Sequence, residues 1–220
     1  MGDGLQTLGI FGGTFDPVHD GHIKMALAAQ SLLQLDEVRF VPCHQPPHRS
    51  RPQLSSLQRK ALLGLALQDY PHLVLDDREL RRKGPSWTVD TLEDFRCEWG
   101  DQISLILLMG ADAYCQLTTW HRWQSLIELA HIAVLLRPGY LLPQEGVLHE
   151  WFSELNSKTL TQLHRSPSGL VVGLQQEQSS LSATCIRERL SQGCMPAGLS
   201  ASVQAYILEH QLYGYCKVEK

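Results

Sequence analysis

The chain has 220 residues, of which 43% are hydrophobic and 19% are charged. Its 19 lysines and arginines stand against 23 aspartates and glutamates, and this net charge of −4 argues against a protein that coats nucleic acid through bulk charge. The 17 glycines and 11 prolines are close to ordinary usage, which excludes collagen-like and low-complexity classes.

The longest apolar runs, 61–67 and 105–109, are far shorter than the roughly 20 residues that cross a bilayer. We therefore expect a cytoplasmic protein with no membrane partner. No two of the six cysteines have the C-x-x-C spacing, so we expect free thiols. Without repeats or a linker, the sequence predicts one domain over residues 1–220, with a C-terminal helical part from about 176.

Short runs rich in Ile, Leu and Val alternate with amphipathic stretches along the chain. The runs predict strands at 7–11, 37–42, 73–76, 104–109, 132–136 and 170–174. The stretches predict helices at about 20–34, 55–69, 88–98, 122–130, 147–163, 184–192 and 200–212. This alternation indicates an α/β fold, a Rossmann-like doubly wound parallel sheet with helices on both faces. Such sheets bind ligands beyond the carboxyl ends of their strands.

The loop after the first predicted strand is the most informative part of the sequence. It places Gly12-Gly13-Thr14 before a helix, where a bare backbone and helix N–H groups suit a phosphate. His19 and His22 are spaced to share one helix face, so both imidazoles can reach one anion. The pattern disfavours a dinucleotide Rossmann site and excludes a P-loop. Alone, the histidines would be interpreted as a surface or helix-end pair, and a metal pair is a second alternative that lacks a third ligand with clear spacing nearby. After a strand and a glycine turn they indicate a phosphate site.

The next loops have two interpretations each. The loop 42–49, after the second strand, is either a rigid exposed turn or a proline-stiffened arm with a basic tip. In the charged run that starts at Arg78, the side chains of Arg81, Arg82 and Lys83 are expected to be solvated. Ser86 and Thr88 either cap the following helix or, with Trp87, present an aromatic ring and helix amides to a carboxylated ring.

Further candidates follow the fourth and fifth strands. Gly110 lets a ligand approach the backbone, and Asp112 either caps a helix or accepts hydrogen bonds from ribose hydroxyls. Trp120 and Trp123 are either core aromatics or stack on a cationic heterocycle. Arg137 is a surface charge or a phosphate ligand.

The late helix begins with a run of small residues. Ser182 and Thr184 either cap it or, together with its first amides, form a second anion site.

The stretch Gly12-Gly13-Thr14-Phe15-Asp16-Pro17-x-His19-x-Gly21-His22 resembles the signature of the H-x-G-H nucleotidyltransferases. More narrowly, it is similar to the bacterial nicotinate-nucleotide adenylyltransferases. The resemblance spans about residues 7–213, and only 138–169 lacks matching motifs. It implies transfer of an adenylyl group from ATP to nicotinate mononucleotide, giving nicotinate adenine dinucleotide and pyrophosphate, a step of NAD biosynthesis.

The resemblance also implies the residues of the site. For ATP these are Gly12, Gly13, Thr14, Phe15, His19, His22, Gly110, Asp112, Ser182, Thr184 and Arg187. For the nicotinate nucleotide they are Asp16, His48, Arg49, Thr88, Trp120, the backbone N–H of His121, and Arg137. The catalytic set is Thr14, His19, His22 and Arg187. Mg²⁺ would arrive with ATP, and no dedicated protein metal ligands are expected.

Other functions remain open at this stage. A sister transferase would act on nicotinamide mononucleotide or phosphopantetheine, and the Thr88 and Trp120 pocket argues for pyridine nucleotides. A non-catalytic nucleotide-binding regulator would bind ATP without releasing pyrophosphate. A histidine-based metal protein is the least favoured. No nucleic-acid partner is expected, and the sequence leaves open whether the chain forms a homo-oligomer.

Overall fold

The computed structural model describes residues 4–46, 51–136, 142–155, 159–175 and 181–215. Its strands are β1 (Gln6–Gly13), β2 (Glu37–Pro42), β3 (Leu73–Leu75), β4 (Ile103–Gly110), β5 (His131–Leu136) and β6 (Val171–Gln175). They form one parallel sheet in the order β3-β2-β1-β4-β5-β6. All six predicted strands are confirmed, with ends that differ from the prediction by at most two residues.

The helices connect and follow these strands. They are α1 (Asp20–Leu33), α2 (Ser56–Leu67), α3 (Arg78–Arg81), α4 (Thr88–Trp99), α5 (Ala111–Cys115), α6 (Ser125–Leu129), α7 (Val147–Glu154), α8 (Leu160–Arg165), α9 (Ala183–Ser191) and α10 (Ala201–Glu209). Two short 3-10 turns lie at Leu117–Thr119 and Leu212–Gly214. None of the helices in the described part of the chain has the length and apolar character of a membrane span.

The sheet is covered on both faces, as predicted. Successive side chains of β4 enter two separate cores, with Ile106 and Leu108 in one and Leu105 and Leu107 in the other. The first core is completed by α1, α2 and α8 to α10, and the second by α4 to α7. A strand that is buried on both faces favours apolar residues at nearly every position, which explains the continuous hydrophobic runs in the sequence.

Several helix predictions need correction. The single helix predicted over 147–163 is wrong, because Thr159 has an extended backbone and caps a second helix by accepting the Gln162 N–H. The helix predicted over 122–130 is shorter, since Arg122 has a φ of 50°, which an α-helix does not allow. The last helix, predicted to reach 212, ends at Glu209. It cannot continue through Gln211, because the φ of Gln211 is 48°. The short helices α3 and α5 were not predicted.

The sheet order creates a crevice between β1 and β4. The chain leaves β1 toward α1 on one face of the sheet and leaves β4 toward α5 on the other. The connections therefore diverge at the carboxyl ends of these neighbouring strands, and this is the topological switch point at which open parallel sheets bind ligands.

Candidate active site

A cleft of about 1390 Å³ opens at this switch point. It is lined by every predicted site residue that the structure describes: Gly12, Gly13, Thr14, Phe15, Asp16, His19, His22, Thr88, Gly110, Asp112, Trp120, His121, Ser182, Thr184 and Arg187. The other three predicted residues, His48, Arg49 and Arg137, lie outside the described residues. The fold thus brings together residues more than 170 positions apart, while their individual roles remain predictions.

The glycine turn at the end of β1 exposes the main chain to the cleft. A Cβ atom on Gly13 would lie 2.9 Å from the ring of Phe15, which is 2% exposed and packs against Phe11 and Phe40. Phe15 itself has a φ of 49°, an uncommon conformation for a residue with a side chain. Its ring therefore lies beneath the turn, and any contact that Phe15 makes with a ligand comes from its backbone. A Cβ atom on Gly12 would meet nothing within 4 Å, so a ligand has room to approach there.

The two histidines are in contact at the start of α1. His19 occupies the N-cap position, and its backbone N–H donates to Nδ1 of His22 at 3.2 Å. The ring centroids are 3.8 Å apart. Because Nδ1 of His22 accepts a hydrogen bond, its imidazole proton lies on Nε2, which is the nitrogen able to donate to an anion.

His19 is buried and electrically neutral at neutral pH. Its side chain is 7% exposed, and burial lowers its pKa to about 4. Nδ1 of His19 is buried without a hydrogen-bond partner among the described residues. A buried polar atom of this kind is costly unless a ligand or water completes it, which is consistent with a binding site at this end of the cleft.

Arg59 lies behind the glycine turn, and sequence reasoning missed it. It is 1% exposed and donates to the backbone oxygen of Thr14 at 2.7 Å and to that of Cys43 at 2.6 Å. It thereby joins the loops after β1 and β2. A signal was present, because Arg59 shares the apolar face of α2 with Leu62 and Leu63 at the spacing of buried positions.

The start of α4 opens into the other end of the cleft. Its N-cap position is Trp87, and no side chain caps the helix. The interpretation that Ser86 or Thr88 caps it is wrong, because Oγ of Ser86 instead accepts the backbone N–H of His44 at 2.8 Å. The first amides of α4 are therefore open to a ligand carboxylate, which a helix N-terminus favours.

Aromatic side chains line the cleft beside this helix start. The rings of Trp87 and His121 are 4.8 Å apart, and Trp120 lies at the same wall. Trp123 is not part of the cleft lining and instead packs against Trp151 at 4.9 Å. The His121 N–H makes no hydrogen bond to a described residue, so it is available as the predicted second donor.

A buried acid, Glu79, also lines the cleft and was not predicted. Its carboxylate accepts the Thr91 hydroxyl at 2.6 Å, and burial raises its pKa. Arg81 and Lys83 are exposed, as expected, but Arg82 is half-buried, because it donates to Thr91 at 2.6 Å and pairs with Asp94 at 3.2 Å. The sequence could have indicated a buried acid at this position only if helix α3 had been predicted, and it was not.

Asp112 lies beyond β4 in an exposed position. The N-cap of α5 is Gly110, so the interpretation that Asp112 caps a helix is wrong. Its carboxylate makes no hydrogen bond to the rest of the described chain. It is therefore available for ribose hydroxyls.

The start of α9 lines the cleft on the side of the glycine turn. Ser182 caps this helix by accepting the Cys185 N–H at 3.2 Å, as its structural interpretation predicted. Its hydroxyl proton is still able to donate to an anion. Arg187 donates to the Thr184 hydroxyl at 3.2 Å and to the backbone oxygen of Asp16 at 2.8 Å.

No role for Cys43 or His44 could be assigned from the sequence. Cys43 lies in the cleft, where burial raises the pKa of its thiol and its Sγ is 3.7 Å from the Thr14 hydroxyl. The His44 ring contacts the Ser56 hydroxyl at 3.1 Å, so this side chain supports the loop. Within the described chain, no three His, Cys, Asp or Glu side chains are grouped to hold a metal ion.

The fold and the site define a class of protein, and comparison with known sequences agrees. Residues 10–189 match the model of the cytidylyltransferase-like family. The chain is 42% identical to the probable nicotinate-nucleotide adenylyltransferase of Cellvibrio japonicus over 94% of its own length and 98% of that protein. It is 45% identical to the protein of the same name from Methylococcus capsulatus, over 84% and 89% of the two chains. The chain therefore belongs to the family of nicotinate-nucleotide adenylyltransferases.

Solved structures share the fold. One is the nicotinic acid mononucleotide adenylyltransferase of Plasmodium falciparum complexed with NaAD, with a TM-score of 0.73, 15% identity, and coverage of 96% of this chain and 98% of that one. Another is a putative nicotinate-nucleotide adenylyltransferase from Vibrio parahaemolyticus, with a TM-score of 0.60, 15% identity, and coverage of 92% and 99%. At these identities, the likeness concerns the fold.

Proposed function

We propose that the protein transfers the adenylyl group of ATP to the phosphate of nicotinate mononucleotide, as a step of NAD biosynthesis. One observation carries this proposal. A single cleft joins a glycine turn and two histidines, suited to phosphates, to an uncapped helix start and an aromatic wall, suited to a carboxylated ring. Family membership supports the same reaction.

The phosphate end would hold the triphosphate of ATP. The main chain from Gly12 to Phe15 would approach it closely, and His22 Nε2–H would donate to it. Arg187 is half-buried, lines the cleft, and forms no ion pair with a carboxylate of the described residues, so its charge is available to the phosphates. Thr14, His19, Ser182 and Thr184 complete the donor set, and Asp112 with Gly110 would hold the adenosine ribose.

The other end would hold the nicotinate ring. Thr88 and the first amides of α4 would bind its carboxylate together with the His121 N–H. Trp120 would stack on the pyridinium, whose positive charge suits an aromatic face. We propose Asp16, His48, Arg49 and Arg137 as further groups on this side, the last three lying outside the described residues.

The reaction needs no base, because the attacking group is already an anion. A phosphate oxygen of nicotinate mononucleotide attacks the α-phosphorus of ATP, the bond from that phosphorus to the bridging oxygen breaks, and pyrophosphate leaves. Catalysis then rests on alignment and on donors that stabilise the transferring charge. We expect Mg²⁺ to enter as part of the MgATP substrate and to bind mainly phosphate oxygens and water.

Product analysis tests this proposal. Purified protein with MgATP and nicotinate mononucleotide should yield nicotinate adenine dinucleotide and pyrophosphate in equal amounts, measured by mass spectrometry and a pyrophosphate assay. A reaction without the acceptor is the control and should yield neither product. Binding of ATP without pyrophosphate release in the complete mixture would refute the proposal and indicate a nucleotide-binding regulator.

A further inference from the structure

Asp16 connects the predicted catalytic loop to three distant segments of the chain. Its carboxylate accepts the hydroxyl of Tyr213, 197 residues away, and the backbone N–H of Gln53, 37 residues away, both at 2.8 Å. Its backbone oxygen accepts Nη1 of Arg187, 171 residues away, also at 2.8 Å. Asp16 is 5% exposed, and its bond to Tyr213 is buried.

We propose that Tyr213 is a positioning residue for adenylyl transfer, acting through Asp16 on the loop that carries Thr14 and His19. This inference rests on the proposed function. Tyr213 does not line the cleft, and so it has no direct route to a substrate. Among the described residues, its side chain makes one hydrogen bond, to the Asp16 carboxylate between the glycine turn and the histidine pair.

The loop depends on such external contacts because its own conformation is strained. Phe15, next to Asp16, has a positive φ of 49°, which the surrounding structure must hold in place. His19 follows three residues later as the N-cap of α1. A shift of Asp16 would move the backbone on both sides of it, and a misplacement of about 1 Å can lower a rate about 100-fold.

The Tyr213 hydroxyl acts as the hydrogen-bond donor to Asp16. Tyr213 is 7% exposed, and burial and the nearby charge of Asp16 raise its pKa, so the phenol stays protonated. Its own backbone has a φ of 59°, an uncommon conformation that directs the C-terminal turn back toward the loop. The same carboxylate is thus held from the C-terminal turn and from the segment before α2.

Arg187 makes this arrangement relevant to catalysis. Its guanidinium contacts the Asp16 carbonyl while it also lines the cleft. The hydrogen bond from Tyr213 therefore fixes the position of the Asp16 carbonyl. Arg187, a predicted ATP-binding residue, is oriented by its contact with this carbonyl. Loss of the Tyr213 hydroxyl should disturb the loop and Arg187 together.

The substitution Tyr213→Phe tests the proposal, since it removes one oxygen and keeps the ring in the core. We expect kcat for pyrophosphate release to fall roughly 10- to 100-fold at 25 °C, with a thermal midpoint lower by only a few degrees. The matched control is Tyr215→Phe, because Tyr215 is 8% exposed and its hydroxyl makes no hydrogen bond to the described residues. This control should keep the wild-type kcat.

A double-substitution cycle separates positioning from general packing. Asp16→Asn should itself lower kcat, and adding Tyr213→Phe to it should change kcat by less than threefold, since the two act through one bond. An active wild-type protein whose Tyr213→Phe variant keeps its kcat, or loses no more than Tyr215→Phe does, would overturn the positioning role alone. A wild-type protein that releases no pyrophosphate would overturn the proposed function and, with it, this role.

Discussion

At the scale of single residues, the chemistry of the cleft depends on which nitrogen of each histidine carries a proton. The His19 N–H fixes the His22 tautomer, and so Nε2 of His22 is a donor without any need for a positive charge. His19 is neutral because it is buried. The pair can therefore act as preorganised donors to phosphate oxygens.

Replacement of His22 by alanine removes the better-defined of the two donors. We expect His22→Ala to lower kcat for pyrophosphate release about 10²- to 10³-fold, the usual cost of deleting one transition-state donor. Steady-state kinetics measures the loss, and circular dichroism checks that the fold survives.

The control for this substitution is His210→Ala, at an exposed position after α10. It should leave kcat unchanged. Near-wild-type turnover in His22→Ala would remove His22 from the mechanism.

The buried neutral His19 makes the fold sensitive to acid. Its pKa lies near 4 in the folded protein, below the ordinary value of 6.5, so the unfolded chain takes up a proton first as the pH falls. The His19 contribution to the free energy of unfolding, about 3 kcal/mol, should therefore be lost as the pH falls from 6.5 to 4. Urea unfolding at several pH values measures it.

His19→Asn isolates this contribution, because asparagine is a good N-cap without a titrating group. The variant should lose about 3 kcal/mol less than the wild type over the same pH window. His131, also buried with a lowered pKa, is present in both proteins and does not affect the difference. Equal pH dependence in the two proteins would contradict the burial of His19.

At the scale of elements, the start of α4 is held by a network centred on Glu79. Glu79 accepts the Thr91 hydroxyl within α4 and is hydrogen-bonded to Ser86, whose Oγ in turn accepts the His44 N–H. Helix α3, the loop after β2 and the start of α4 are thus joined at the wall that would bind the nicotinate carboxylate. The proposed binding of a carboxylate by the α4 amides requires that this wall be held in place.

Removal of Glu79 should therefore affect one substrate more than the other. We expect Glu79→Ala to raise KM for nicotinate mononucleotide about tenfold while KM for ATP changes less than twofold. Glu79→Gln keeps an acceptor for Thr91 and should recover most of the affinity. Steady-state kinetics with each substrate varied in turn measures both constants.

A suitable control is Glu98→Ala. Glu98 lies on α4 outside the cleft, and its replacement removes an ion pair with Arg78 of α3. It should leave both KM values unchanged. Equal increases in both KM values for Glu79→Ala would point to a general loss of structure.

The sequence predicted elements well where local pattern decides them. Apolar runs found every strand, because burial on both faces of the sheet leaves few polar positions. The prediction failed where a single backbone angle or a single cap decides where a helix begins. Arg122 has a positive φ, and Thr159 caps a separate helix. The five-residue helix α5 leaves too short a periodicity to detect.

At the scale of the whole molecule, the cleft explains how a chain of net charge −4 can bind polyanions. The switch point between β1 and β4 gathers helix starts, a glycine turn and Arg187, while bulk charge plays no part. The motifs predicted the lining of this cleft because each follows a strand or opens a helix.

The residues that support the cleft could not be predicted in the same way. Tyr213 contacts Asp16, 197 residues away, Arg59 contacts Thr14, 45 residues away, and Glu79 contacts the helix that follows its own. Such contacts exist only in the folded protein, and only Arg59 leaves a spacing signal, on the apolar face of α2. Their common feature is a polar side chain at a buried position, which a sequence suggests only once the apolar face is known.

The comparison of acid and amide nucleotides tests the central claim most directly. Pyrophosphate release is measured with MgATP and, in turn, nicotinate mononucleotide and nicotinamide mononucleotide. Hydrogen bonds from the α4 amides and the His121 N–H to a carboxylate predict a kcat/KM about 10- to 100-fold higher for the acid. Equal use of both nucleotides, preference for the amide, or no pyrophosphate with either would contradict the account.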